Sequence, residues 1–301
     1  MGFEACHPAV NFIFFAAVLY GSATFRHPVF LTIAYICAFA YSVKRRGTRA
    51  VIFNLCLLPL VVAFALYYSS YHHFGVTVLG KNFVDNNMTL ESQVYGLVIG
   101  LRFATVCMWL EAMFQVVSSD KVVYLFGKVS PLLSLFLTIL LRLIPRISQE
   151  ARRINLAQKG IGWGSNQGNI FRRVVNCLRI FSMLITWMIS ALALESDSMR
   201  SRGSLLRGRT AFSIYRFDNR DRAFVIALFS CITMTAMGVI LGASKMWYNP
   251  RIIWRPLNGI GIVTAIGYLA LCFMPMALEL WTEYRFHAAR KRGVHYDATG
   301  Q

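Results

Sequence analysis

Arg200 and Arg202, in Met199-Arg200-Ser201-Arg202-Gly203, close a basic block running from Arg142 to Thr210, which holds twelve Lys/Arg against three acids, Glu150, Glu195 and Asp197. Such a block offers charge recognition, not bond-making: set between apolar segments, it is kept in the cytoplasm and meets a soluble partner there. Other chemistry-bearing residues are thinly spread. The seven cysteines (Cys6, Cys37, Cys56, Cys107, Cys177, Cys231, Cys272) lie mostly inside apolar runs. They form no Cys-x-x-Cys and have no His spaced to share a metal, so they read as small packing residues. His72 and His73 are the only His pair, and their side chains diverge; a solvated loop is the stronger reading.

No Gly-x-x-x-x-Gly-Lys-Ser/Thr segment is present, so the chain does not bind ATP by that device. Arg102 and Glu111 are the notable charges in an apolar segment, where an ion is a functional candidate by default. Nine residues apart on a helix, they point to nearly opposite faces. Arg102 is read as an inter-helix or interfacial contact, and Glu111 is placed nearer the cytoplasmic end. No catalytic constellation emerges, and no metal or cofactor is called for.

The elements that carry these residues are membrane helices. Of 301 residues, 56% are hydrophobic and 15% charged, a balance a single soluble core of this size would not need. Retained cytoplasmic loops and anionic headgroups account for the net charge of +18 better than nucleic acid does, so no nucleic-acid partner is expected. No cleavable signal peptide is expected, because the first apolar run lacks a basic leader.

Apolar segments at Ala9 to Phe25, Pro28 to Val43, Val51 to Ser70, Gln93 to Val117, Ala223 to Lys245 and Leu257 to Trp281 have about the length that crosses a hydrocarbon core of about 30 Å. Lys44-Arg45-Arg46-Gly47-Thr48-Arg49 belongs inside. That predicts six spans with both termini cytoplasmic, an external polar loop from Tyr71 to Ser92, and an external turn at Tyr248-Asn249-Pro250-Arg251 with Arg255 and Pro256.

Leu132 to Ile144 and Leu178 to Leu194 are also apolar, but crossing there would put Arg146, Arg152, Arg153, Lys159, Arg172 and Arg173 outside. They are read as helices along the inner surface, their apolar faces packed on each other and on the bundle. From Pro145, Ile147, Ala151, Ile154, Ala157 and Ile161 recur on one face of a basic amphipathic helix that runs into Gly160-Ile161-Gly162-Trp163-Gly164. On spacing alone an ordinary loop fits that glycine run equally well. Gly203 is a plausible residue just past a helix end, Arg202 there could be only a dipole-favoured cation, and Asp197 and Arg200 could form a local pair.

Over nearly its whole length the chain resembles the transmembrane T component of energy-coupling factor (ECF) transporters, which includes the cobalt-transport permease subunits. The residues that carry the resemblance are His7-Pro8, Ser119-Asp120-Lys121, Leu141-Arg142-Leu143-Ile144-Pro145-Arg146, Ala157-Gln158-Lys159-Gly160, Ser198-Met199-Arg200-Ser201-Arg202-Gly203 and Gly208-Arg209-Thr210-Ala211-Phe212.

The resemblance implies an all-α integral membrane protein of about six transmembrane helices with a cytoplasmic coupling module of long crossed amphipathic helices. It divides the chain into an N-terminal bundle (1–118), the module (119–221), C-terminal membrane helices (222–284) and a cytoplasmic tail (285–301). It implies a non-catalytic scaffold in the cell membrane, partnered by two ATPase subunits, a substrate-capturing S component for a vitamin or transition metal, and the lipid bilayer.

ATPase coupling is implied for Ser201-Arg202-Gly203, which matches an X-Arg-X motif commonly Ala-Arg-Gly with Ser for Ala, for the neighbouring Met199, and for Gln158, Lys159, Gly160, Ile161 and Gly162. This first arm departs from the motif, since Ile161 cannot make the arginine's ion pair. The rivals are a self-sufficient secondary transporter or channel, which should show an internal repeat or interrupted polar spans, and a membrane enzyme, which needs clustered His, Asp or Glu. Neither pattern is evident.

Overall fold

The computed structural model describes residues 2–81, 87–203, 215, 217–253, 256 and 258–298; Asn86, Arg207, the Gly208 to Phe212 motif and Arg255 lie outside them. Among the described residues the chain forms α1 (Pro8–Thr24), α2 (Pro28–Arg46), α3 (Thr48–Tyr71), β1 (Val78–Lys81), β2 (Asn87–Thr89), α4 (Leu90–Val116), α5 (Ser119–Val129), α6 (Pro131–Gly160), α7 (Ile170–Ser201), α8 (Asn219–Ile240) and α9 (Gly259–Ala298). It is an all-α, multi-pass membrane protein. Five helices, α3, α4, α7, α8 and α9, are long and apolar enough to cross a membrane. Four of these coincide with expected spans. α1 is a shorter apolar helix, and α7 meets the length and composition of a span although its Leu178 to Leu194 stretch was expected to lie along the surface.

Two compact units divide the chain, residues 1–118 with 215–301 and residues 119–214. In the first, α1 and α2 begin alike. His7 and His27 each sit just before a proline, and each ring Nδ1 accepts the backbone N–H two residues on, at 3.3 Å. Proline at the first helical position has no N–H to satisfy and a preset φ, so His-Pro starts a helix well. The core is aromatic. Phe3, Phe14, Phe15, Tyr41 and Trp109 are fully buried, with Phe14 against Trp109 at 6.0 Å edge-on and Tyr41 stacked on Trp109 at 6.1 Å.

α3 and α4 approach closely at Gly96 and Gly100. A Cβ on Gly96 would lie 3.0 Å from the Ala65 carbonyl oxygen, and one on Gly100 would lie 3.1 Å from Val61 Cγ1. Small residues four apart let two membrane helices touch backbone to backbone.

One end of this unit gathers its loops. Tyr248 is buried, and its hydroxyl donates to the Arg26 carbonyl at 2.7 Å. Burial, reinforced by nearby Tyr95, pushes the Tyr248 phenol up to about 12, so it stays a donor at neutral pH. The segment expected as a plain polar loop instead carries the antiparallel β1–β2 pair, followed by Glu91, which accepts from the Thr77 hydroxyl at 2.6 Å.

The opposite end holds the basic cluster. Lys44 pairs with Glu283 at 3.0 Å, Arg45 with Glu4 at 2.9 Å and Glu279 at 3.5 Å, and Arg46 with Glu111. α4 therefore ends at this cluster. α8 begins at the same end, because Asp221 accepts the His7 N–H at 3.4 Å beside Glu4.

In the second unit the two helices expected to meet at Pro145 are one. α6 continues through it, losing one rung of its ladder. Ile147, Ala151 and Ile154 of α6 and Ile180, Leu184 and Met188 of α7 are half-buried, but much of the apolar surface of α7 is open. No residue in the most apolar window of α7 is buried, and Phe181 and Ile189 are 58% and 62% exposed.

Candidate coupling site

Both arms of the expected coupling site end in the same backbone device. α6 closes with Ile161 as its capping residue and Gly162 at φ 84°; the Gly162 N–H reaches the Lys159 carbonyl at 3.2 Å, and the Trp163 N–H reaches the Gln158 carbonyl at 2.9 Å. α7 closes with Arg202 as its capping residue and Gly203 at φ 73°, whose N–H reaches the Arg200 carbonyl at 3.0 Å. A left-handed residue just past the helix end lets the chain turn back onto the last carbonyls, and only glycine adopts it without strain. Ile161 and Arg202 thus hold equivalent positions, and both are exposed. Asp197 and Arg200, read as a possible local pair, form no ion pair among the described residues; an exposed i,i+3 contact is worth only tenths of a kcal/mol.

The two tips are not together. α6 and α7 run antiparallel, with Gln158 Nε2 3.6 Å from Met183 Sδ and Arg146 3.9 Å from Glu195. From Met183 to Met199 the helix rises about 24 Å. Gln158, Lys159, Gly160, Ile161 and Gly162 therefore lie at one end of the pair, and Met199, Ser201, Arg202 and Gly203 at the other. No family model matches this chain, and no curated protein does.

The first tip is braced by residues that the sequence reading passed over. Arg179 lies over the Trp163 ring at 4.1 Å, and buried Asn176 donates to the Gly164 carbonyl at 3.2 Å. Asn155 accepts the Ser165 N–H at 3.0 Å, and Gln167 accepts that of Gly164 at 2.9 Å. A signal was available: two asparagines among the half-buried positions of basic helices mark side chains that tie down a loop. The braced loop leaves Ile161 66% exposed.

Arg142, Pro145 and Arg146 of α6 face Trp187, Glu195 and Arg202 of α7 across an open groove of about 780 Å³. Arg146 also stands 5.9 Å over the Trp187 ring. In the first unit, Arg102 has a buried Nε without a hydrogen-bond partner, and Arg26, Tyr95 and Tyr248 are its electrostatic neighbours. Arg26 and Tyr248 lie in the loops that join the helices at one end of the unit, and Tyr95 lies on α4. Glu111 pairs with Arg46 and accepts from Ser42 at 3.3 Å. Among the described residues, no three His, Cys, Asp or Glu side chains are grouped to hold a metal.

Proposed function

We propose that this chain is the transmembrane scaffold of an ECF-type importer, coupling ATP hydrolysis by two cytoplasmic ATPase subunits to movement of a membrane subunit that captures a vitamin or transition metal. The observation that carries the reading is the pair of similar caps, each closed by a left-handed glycine, at opposite ends of a helical hairpin. Two separated, exposed tips of one backbone shape suit two separate but similar partners. The arms differ in what they offer. Arg202 can pair with a carboxylate, whereas Ile161 offers an apolar contact with Lys159 beside it, so the two ATPase sites are unequal.

Topology supports a cytoplasmic hairpin. α4 ends and α8 begins at the same end of the first unit, so the segment between them crosses the membrane an even number of times. A lone crossing by α7 breaks that parity. α6, the helix that would have to cross with it, carries Arg142, Arg146, Arg152 and Arg153. We therefore read α1, α2, α3, α4, α8 and α9 as six spans, with both termini on the side of Lys44 to Arg46, which is the cytoplasm by the positive-inside rule.

The test is complex assembly and ATP-dependent uptake by Arg202→Glu, Ile161→Ala and the control Arg152→Glu. Arg202→Glu should lose at least tenfold in uptake, Ile161→Ala less, and the control little, because burying an unpaired carboxylate in the partner costs far more than altering a solvated charge. Equal uptake by Arg202→Glu and Arg152→Glu would make the α7 tip an ordinary helix cap.

A further inference from the structure

The groove between α6 and α7 has a charge imbalance of which the coupling role uses Arg202 and leaves Arg142 and Arg146 unused. Arg142 and Arg146 lie one helical turn apart on α6, and Arg202 approaches from the α7 cap. The single acid on the groove wall, Glu195, is already engaged by Arg146. Arg142 and Arg202 have no ion-pair partner among the described residues. Guanidinium forks converging on one concavity match the oxygens of a phosphate, which accepts several charge-assisted hydrogen bonds at once.

Beside the polar Gln149, Ser190 and Ser198, the wall carries apolar surface at Trp187, Leu194 and Met199. Leu194 on it is 73% exposed, and the α6 run leading to Arg142 leaves Leu133, Phe136 and Leu140 at 43%, 58% and 38% exposed. Trp187, half-buried between these regions, has the wet and dry edges that tryptophan uses at a membrane interface. A free anion would satisfy the arginines and leave these aliphatic side chains in water; a lipid satisfies both.

We propose that this groove binds an anionic phospholipid, its headgroup phosphate between Arg142, Arg146 and Arg202 and its acyl chains along the exposed apolar surface. Basic pockets between helices on the cytoplasmic side of a membrane are suited to such headgroups. Arg202 is shared with the α7 tip, whereas Arg142 and Arg146 belong to neither arm tip, so changing those two alone tests the lipid site separately from the ATPase reading.

The full-length protein, purified in mild detergent and stripped of lipid, would be titrated with phosphatidylglycerol or phosphatidylcholine and its bound lipids counted by native mass spectrometry. The wild type should prefer phosphatidylglycerol at least tenfold. The double variant Arg142→Gln/Arg146→Gln should lose that preference, while Arg152→Gln/Arg153→Gln, with the same charge removed from α6, keeps it. Equal Tm values for the two double variants would exclude unfolding as the cause.

Three results would overturn the proposal. The first is equal loss in both double variants, which means diffuse charge attraction. The second is displacement of the lipid by 10 mM inorganic phosphate, which makes the site one for free phosphate. The third is retained lipid preference with failed ATPase assembly in Arg142→Gln/Arg146→Gln, which gives the groove to a protein partner.

Discussion

Arg45 stands between Glu4 and Glu279, and Glu279, with only 9% of its side chain exposed, also accepts from the Tyr41 hydroxyl at 3.4 Å. Glu279→Gln keeps the shape and removes the charge, which should cost about 2 kcal/mol, the scale of a charged hydrogen bond with little access to water. Glu283→Gln, at a side chain 59% exposed, should cost under about 1 kcal/mol. Thermal unfolding of both variants in detergent would measure the difference; equal Tm values would mean that Arg45 finds adequate solvent in place of Glu279. The basic cluster was legible in the sequence as a run of like charges. Its partners were not, because Glu111 is 65 residues from Arg46 and Glu283 is 239 from Lys44. Only packing brings them together, and no local pattern records it. The helix-end residues lie at the other extreme. Arg202-Gly203 and Ile161-Gly162 could be read locally because a cap depends on its own few residues and on the left-handed φ that glycine permits.

Helices were the most legible elements, since apolar length and His-Pro or glycine punctuation are local. The expected segments Ala9 to Phe25, Val51 to Ser70 and Gln93 to Val117 fall within a few residues of α1, α3 and α4. The β1–β2 pair escaped because its strands are four and three residues long and carry no alternating pattern. α6 was divided at Pro145, where a proline usually interrupts a helix, yet the helix passes through it. Gly96 and Gly100 form a Gly-x-x-x-Gly that was readable and was passed over. Gly100→Leu should push α3 from α4 and destabilise the protein by about 1 to 3 kcal/mol, the usual scale of overpacking. Gly80→Ala, where nothing lies within 4 Å of an added Cβ, should cost well under that. Unfolding midpoints in detergent compare them, and an unchanged Gly100→Leu would mean that the two helices slide apart freely.

The topology of the whole molecule is tested by labelling in intact cells. In a cysteine-free background, Trp163→Cys should resist a membrane-impermeant maleimide and Leu79→Cys should react. The background matters because Cys56 and Cys177 are exposed. Labelling of Trp163→Cys from outside would restore α6 and α7 as a crossing pair. The membrane class and most of the helices long and apolar enough to cross a membrane were readable at this scale, because composition and hydropathy sum over many residues. The antiparallel register that separates the two arm tips was not, since it rests on single contacts such as Arg146 with Glu195.

Residues 119–214 carry fourteen Lys/Arg against four acids, ten of the eighteen net positive charges. In the other unit, Lys44, Arg45 and Arg46 are already matched to carboxylates. The middle segment is therefore a polycation with a loose atmosphere of small anions, and any acidic surface that docks on it sets those anions free. Raising salt shrinks the screening length from about 10 Å at 0.1 M to about 3 Å at 1 M and removes that gain. Ionic strength thus becomes a dial that would strip any acidic partner from the hairpin, while the partly dry ion pairs of the bundle keep the membrane helices together.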